Sequence, residues 1–401
     1  MYNFNKIKFH LSTFSISLLV ILILNLNPIT IYTQNINKNI TDIIKTYSIA
    51  SLQVISINKD QIIYKESYGK KNIESNINTD CNTLYRVASL SKLFTTLGIL
   101  KLIDKEKLTL EDDISQYFDQ KIRNPYFPEI PIQIKHLLTH TSGIIESNGP
   151  YKHFIKNIYQ KGSISITDYI TPKSPYYTKN IWKNKTSTFN YSNYTYGLLA
   201  TIIEKISKQN FDNFIEENIL KPLKIEGNFN IQKIKNKQNI GILYKWTQNT
   251  HKPILDTPEM LNNTNNTVED YITGTNALIF SPQGGLRTNI TGLGNLLKAL
   301  IQQNNKLLSA KTFQTLHTTA WKNPNMKGIY KEKAAGIHIT EELIKNERLY
   351  GHSGESFGMT SCLYYSIEKQ KGFAFIVIGG NYKTGKSGFY EHEEKLAELL
   401  F

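Results

Sequence analysis

Residues 86–96 read RVASLSKLFTT. In this stretch Lys92 stands three positions after Ser89, at the head of an apolar run. Leu90, Leu93, Phe94, Leu97, Leu100 and Ile103 recur so as to wrap most of a helix's circumference. A helix of that kind is buried on nearly every side, and lysine is among the residues least often buried. On a helix, side chains three apart share a face with Cβ atoms roughly 5–6 Å apart, so Lys92 lies beside Ser89. The free N–H groups of the helix start favour negative charge developing on Ser89. A lysine desolvated among apolar groups loses its proton more easily, and the neutral amine can then take the serine proton. The competing reading makes Ser89 an N-cap and Lys92 a side chain that snorkels to solvent. An S-x-x-K spacing recurs by chance and does not decide between the two.

Two stretches further along the chain carry matching chemistry. In FNYSNYTYGLL (189–199), Tyr191, Ser192 and Asn193 precede a helix. A phenol beside a lysine can shuttle protons, and an amide can hold a substrate carbonyl or the lysine itself. Taken alone, the same residues would be a packed tyrosine and an N-capping Asn193. In LYGHSGESFGM (349–359), Gly351 and Gly354 allow another backbone or a ligand close to a strand. Along that strand His352 and Gly354 face one way, Ser353 and Glu355 the other.

The three motifs together, in this order, resemble the serine β-lactamase and penicillin-recognising enzyme family. The nearest branch holds class C β-lactamases, D-alanyl-D-alanine carboxypeptidases, D-aminopeptidases and related esterases. LYRVASLSKLFT, LTLEDDISQYF, IKHLLTHTSGI, FNYSNYTYGLLATIIEKIS, GGLRTN and GHSGESFGM all support the match, which runs from about residue 48 to the C-terminus. The resemblance implies an α/β (α+β) two-lobe fold of the β-lactamase/transpeptidase kind, with a cleft between the sheet and an all-helical lobe. It implies Ser89 as the acylated nucleophile, Lys92 as its base and Tyr191 as proton shuttle. Asn193, His352, Ser353 and Gly354 would bind substrate, and the backbone N–H groups of Ser89 and Glu355 would form the oxyanion hole. Neither a metal nor an organic cofactor is implied.

Some members of this family carry Lys-Thr-Gly as the third motif, and Lys383-Thr384-Gly385 occurs here. That triplet follows the last apolar strand and precedes the final helix, so it belongs to a loop; His352-Ser353-Gly354 is the third motif. His136 and His140 have the spacing of a metal pair but no nearby carboxylate or cysteine, and read as structural. With His352 in place of lysine, the cleft is less positive at neutral pH. Glu355 would add repulsion toward an anionic substrate if it turns inward. Both features tilt away from an efficient β-lactamase and toward a peptidase or esterase taking neutral or amine-bearing substrates.

At the N-terminus, Lys6 and Lys8 precede the charge-free run LSTFSISLLVILIL (11–24), too short for a membrane span of roughly 20 residues. Residues 1–33 are expected to be a secretory signal cut near Thr33 or Gln34, with a retained anchor as the alternative. The hydrolase domain is then expected over 38–401, and the protein in the periplasm or outside the cell. The net charge of +14 does not indicate nucleic acid: only four basic residues are arginine (Arg86, Arg123, Arg287 and Arg348). The expected partner is instead a small-molecule or peptide substrate. Cys81 and Cys362 are the only cysteines, and their pairing is left open.

Strands are expected at 48–69 around an Asn58–Gln61 turn and in four segments of the last 65 residues, closed by the helix HEEKLAELLF. Helices fall between them, so one antiparallel sheet should be completed by both ends of the chain, with an inserted helical lobe. Residues 144–188 read as an irregular, aromatic-rich insertion bordering the cleft, and 225–275 as the least ordered segment.

Overall fold

The computed structural model describes residues 28–161, 164–183, 188–262 and 270–401. Two units are present, residues 1–46 and 47–401. The described part of the first is a single helix, α1 (Pro28–Thr46), which runs through the expected cleavage point. The charge-free run 11–24 lies outside the described residues. Among the described residues, no helix is long and apolar enough to cross a membrane.

The second unit is built on a nine-stranded antiparallel sheet. Its strands are β1 (Ser51–Asn58), β2 (Gln61–Asn72), β3 (Ile77–Asn78), β4 (Trp321–Lys322), β5 (Glu332–Lys333), β6 (His338–Thr340), β7 (Leu349–Ser356), β8 (Met359–Ser366) and β9 (Lys371–Ile378). They lie in the order β3-β2-β1-β9-β8-β7-β6-β5-β4, so β1 pairs with β9 and the two ends of the chain meet at the centre. The expected closure by both termini is therefore what is observed. Strands β1, β8 and β9 are buried at nearly every residue, which explains why GFAFIVI reads as a continuous apolar run without alternation.

Helices cover both faces. Ile55, Ala374 and Leu363 are cross-strand partners on one face, where Gly294 of α5 (Ile290–Ile301) closes onto Ile55. Thr360, three positions from Leu363, points the other way and meets His392 of α6 (Glu391–Leu400) at 2.8 Å. Between β3 and β4 the chain inserts the helical lobe: α2 (Ser91–Asp104), α3 (Asn148–Lys161), α4 (Tyr194–Ser207) and the shorter helix Phe211–Ile215. Residues 91–100 and Leu102 of α2 are all buried, as the all-round apolar pattern requires. Burial of each large apolar side chain stabilises by about 2 kcal/mol, enough in sum to hold one desolvated amine inside.

One expectation needs correction, and a second segment holds a regular element its composition did not show. Segment 144–188 is not wholly irregular, because it contains α3 and two 3₁₀ turns, Ile166–Tyr169 and Lys179–Ile181; it does border the cleft. Segment 225–275 contains a β-hairpin, Leu243–Thr247 with Thr250–Leu255. Its turn residues Gln248 and Asn249 both have positive φ, 50° and 57°, which matches the twist of a tight hairpin. Exposed lysines on these strands, Lys245 and Lys252, hid them among polar residues. Cys81 and Cys362 are both free.

Candidate active site

Ser89 is held from three directions. Behind it, Tyr85–Arg86 pairs with Arg287–Thr288, and the Val87 N–H donates to Leu286 O at 3.0 Å. Ala88 then turns at φ +44°, a left-handed conformation that non-glycine residues seldom adopt. Residues Ala88–Leu90 form a 3₁₀ turn that runs into α2, leaving the half-buried Ser89 in the first turn. Neither helix start has a side-chain cap, so the capping alternative for Ser89 fails.

From the third side comes the sheet. A Cβ on Gly354 would stand 2.4 Å from Val87 O and 2.9 Å from Leu90 N, both on the nucleophile turn. Only glycine lets β7 approach this closely. Gly354→Ala is expected to push turn and strand apart, lowering stability by about 2 kcal/mol and turnover by roughly tenfold. Chemical denaturation and steady-state kinetics on the purified variant measure both.

Lys92 is fully buried, so it does not snorkel. Its Nζ lies 2.8 Å from Asn193 Oδ1, 2.8 Å from Gln283 O and 3.1 Å from Ser89 Oγ. Desolvation drives its pKa down to about 7, against a smaller upward pull from Glu146. That displacement corresponds to about 5 kcal/mol. As a neutral amine, Lys92 has two N–H donors, which the Asn193 and Gln283 oxygens accept. The remaining lone pair then points at the Ser89 hydroxyl.

Tyr191 OH lies 2.7 Å from Ser89 Oγ. Burial raises its pKa, only partly opposed by the Ser89 hydrogen bond, so the phenol stays protonated at neutral pH. With proton affinities in this order, Lys92 can accept a proton near pH 7 and Tyr191 can donate one.

The loop that carries Tyr191 is fixed by residues whose role the sequence did not reveal. Asn193 sits at the N-cap of α4, yet its side chain does not cap. Glu146 does that work: its carboxylate accepts from the Asn193 and Tyr194 N–H groups, the latter at 2.9 Å, and from Asn193 Nδ2 at 3.3 Å. The carboxylate thus satisfies the helix start, leaving Asn193 Oδ1 free for Lys92. His140 is buried beside Tyr191, ring centroids 4.6 Å apart, and its Nδ1 accepts the Ser192 N–H at 3.2 Å. His136 Nδ1 accepts the Gln133 N–H at 3.1 Å. Each histidine thus holds a backbone N–H through its Nδ1.

The third motif lies on β7 where its neighbour stops. β6 pairs only with Leu349–Gly351, so residues 352–356 present an unpaired edge. His352 and Gly354 are buried, Ser353 is half-buried and Glu355 exposed, the alternation read from the sequence. His352 Nδ1 donates to Ser353 O at 2.6 Å, which leaves Nε2 as an acceptor. Burial and the neighbouring Lys333 and Lys92 hold the His352 pKa well below the usual histidine value, so the ring is neutral. Ser353 Oγ lies 2.9 Å from Tyr364 OH. Thr384 does border the cleft, but only from the loop ahead of α6, as expected for the rejected triplet.

Ser89, Tyr191, Asn193, His352, Ser353, Gly354 and Glu355 line one cavity of about 840 Å³. Lys92 sits beneath its floor. At one wall Glu355 and the buried Glu393 come together; burial, then the neighbouring carboxylates Glu355 and Glu394, push Glu393 up to about 8. Gln283 also borders the cavity, and its Oε1 is buried without a hydrogen-bond partner. The Gln283 carbonyl that orients Lys92 had no signature in the sequence, because any residue supplies a carbonyl. Glu146 had none either: it acts 47 positions away from the helix it caps.

The family model described as Beta-lactamase matches residues 36–389. Among curated proteins, the chain is 27% identical over 234 residues to Protein flp of Staphylococcus aureus (strain N315), covering 56% of this chain and 43% of that one. It is 33% identical over 175 residues to Penicillin-binding protein 4* of Bacillus subtilis (strain 168), covering 42% and 35%. The chain thus spans less than half the length of these relatives. Among solved structures, the octameric penicillin-binding protein homologue from Pyrococcus abyssi superposes with a TM-score of 0.71 at 23% identity, over 92% of this chain and 76% of that one. The D-amino acid amidase from Ochrobactrum anthropi SV3 gives 0.66 at 16% identity, over 92% and 98%. Those two likenesses concern the fold. The family match over most of the chain, on a sheet and helical lobe that bring Ser89, Lys92 and Tyr191 within hydrogen-bonding distance, places this protein in the β-lactamase-fold family of serine hydrolases.

Proposed function

We propose that the protein is an exported serine hydrolase that works through an acyl-enzyme on an amide or ester, as a peptidase of D-alanyl-D-alanine carboxypeptidase type or an esterase. One observation carries the reading: a desolvated lysine amine lies 2.8 Å from each of two carbonyl oxygens, Asn193 Oδ1 and Gln283 O, and 3.1 Å from the Ser89 Oγ. In acylation, Lys92 takes the Ser89 proton and Oγ attacks the substrate carbonyl carbon. The backbone N–H groups of Ser89 and Glu355 hold the resulting oxyanion. As the scissile bond breaks, Tyr191 gives its proton to the leaving group and regains one from the Lys92 ammonium. Water then attacks the acyl-enzyme with its proton passing back along the same groups, and Ser89 is released as a hydroxyl. Export rests on the charge-free run behind Lys6 and Lys8.

The second reading is a β-lactamase. β-Lactams present a rigidly held carboxylate to the third motif, where the neutral His352 offers no charge and Glu355 repels. The decisive experiment is a substrate panel on the purified protein, run beside a fluorophosphonate probe. The probe is expected to add to Ser89 alone by peptide mapping, with D-amino-acid peptides or short esters turned over faster than cephalosporins. An adduct elsewhere would sink the nucleophile assignment, and faster cephalosporin turnover would install the β-lactamase reading.

A further inference from the structure

The cavity extends beyond the nucleophile to the other face of the sheet. Gly354 faces the turn that carries Ser89, so Glu355, the next residue of β7, leaves the strand on the opposite face. Its cross-strand partner is Thr360, whose hydroxyl meets His392 of α6, and this puts the Glu355 side chain on the α6 side. Residues 352–356 have no strand beyond them, and Ser89 and Glu393 of α6 line the same cavity across that edge. Glu393 is 5% exposed. One of its carboxyl oxygens accepts the Tyr390 N–H at 3.0 Å; the other has no hydrogen-bond partner among the described residues. Capping the helix accounts for the first oxygen and leaves the second unexplained. Among the described residues, no lysine, arginine or histidine forms an ion pair with Glu355 or Glu393. Arg86, also on the cavity, is engaged elsewhere: its guanidinium stands over the Phe357 ring, 5.5 Å from the centroid, and its Nε donates to Gly284 O at 2.9 Å. Two cavity-lining tyrosines flank the carboxyls: Tyr390 lies beside Glu355, and the exposed Tyr330 is near enough to sense its charge.

Two carboxyls on one cavity wall repel each other when both are ionised, and the buried one also loses its hydration. A cation between them removes both costs, and tyrosine ring faces attract it further. We propose that Glu355 and Glu393, flanked by Tyr330 and Tyr390, form a cation subsite that takes a primary ammonium carried by the substrate. The three N–H donors of such a group would serve both carboxylates with charge-assisted hydrogen bonds. The Glu355 N–H, at the strand edge, holds the scissile carbonyl oxygen, whereas the two carboxyls lie on the α6 face. The ammonium therefore sits several bonds from the scissile carbonyl and not on the carbon next to it. A lysine-like side chain or an acyl chain ending in an amine has that reach. The inference rests on the serine-hydrolase reading for calling this ligand a substrate, but not for its test.

Burial, then the neighbouring carboxylates, push Glu393 up to about 8, so it is mostly protonated at neutral pH. An ammonium beside it favours the ionised form, and binding should release a proton. Around Glu393, burial keeps Cys362, Tyr364, Tyr382, Tyr390 and His392 uncharged there. The test is calorimetric titration of the full chain at neutral pH with hexylamine and with hexanol, its uncharged counterpart, in two buffers of different ionisation enthalpy. In the unmodified protein the amine is expected to bind at least about tenfold more tightly, the scale set by a charge-assisted over a neutral hydrogen bond, and to release a proton. Glu355→Gln should abolish the preference and keep the hexanol affinity, and Glu393→Gln should weaken the preference and abolish the release. Equal affinity for the two ligands in the unmodified protein overturns the subsite without any variant. A preference that survives Glu355→Gln, or amine binding without proton release, places the amine elsewhere and overturns it too. Loss of both affinities together in Glu355→Gln does the same, by exposing a structural role. Failure of a fluorophosphonate probe to label the unmodified protein would count against the hydrolase reading alone, since the titration does not depend on it.

Discussion

Replacing Lys92 by Met is expected to lower kcat/KM for a short ester by about 10⁴-fold, the upper end of what general acid–base groups contribute. Methionine keeps the length and apolar stem, so the change removes the amine with little change of volume. The loss should fall on acylation, and fluorophosphonate labelling of Ser89 should slow in parallel. A pH profile provides the sharper reading. Burial holds the Lys92 pKa at about 7, and the base is the unprotonated form. Acylation in the unmodified protein should therefore rise with pH through about 7 and level off above it. In Lys92→Met that limb should disappear. If it persists, another group titrates there, and Lys92 is a structural cation. Burial keeps His140 and His352 neutral well below the usual histidine range, so neither would titrate near 7; Glu393, pushed up to about 8 on the cavity wall, is the group to separate, and the limb should persist in Glu393→Gln.

Tyr191→Phe is expected to cost several hundredfold in turnover, within the same range. Only a hydroxyl is lost. The ring keeps its tilted contact with His140, and the loop keeps its Glu146 and His140 hydrogen bonds, so stability should change by less than about 1 kcal/mol. The effect should grow with the basicity of the leaving group: a phenolate needs no proton to depart, whereas an amine does. Comparing p-nitrophenyl and amide substrates isolates this term. An equal loss on both would mean that Tyr191 positions Ser89 and does not donate the proton.

The sequence determined the fold class because its two periodicities survive in contiguous segments. GFAFIVI, buried on both faces, had to be a central strand, and the all-round apolar α2 had to be a buried helix. It also determined the short-range half of the site: Ser89 and Lys92 are three residues apart, so helical geometry alone brings them together. Tyr191, Asn193 and the third motif were readable only as a joint pattern, since each alone has an ordinary structural explanation. Tertiary structure decided the rest. The Lys92 proton affinity depends on how much water the folded lobe excludes, which no local spacing encodes. The carbonyl of Gln283 and the carboxylate of Glu146 come from segments 191 and 47 positions from the groups they hold, and neither type of group is unusual where it stands. Lys333 shows the limit most clearly. In sequence it is one of many lysines in a basic chain, and only the pairing of β5 with β6 buries it against the Phe189 ring, where desolvation holds its pKa well below the usual lysine value. Local spacing fixes which neighbours along the chain can react with one another; dehydration and long-range pairing fix which of them do.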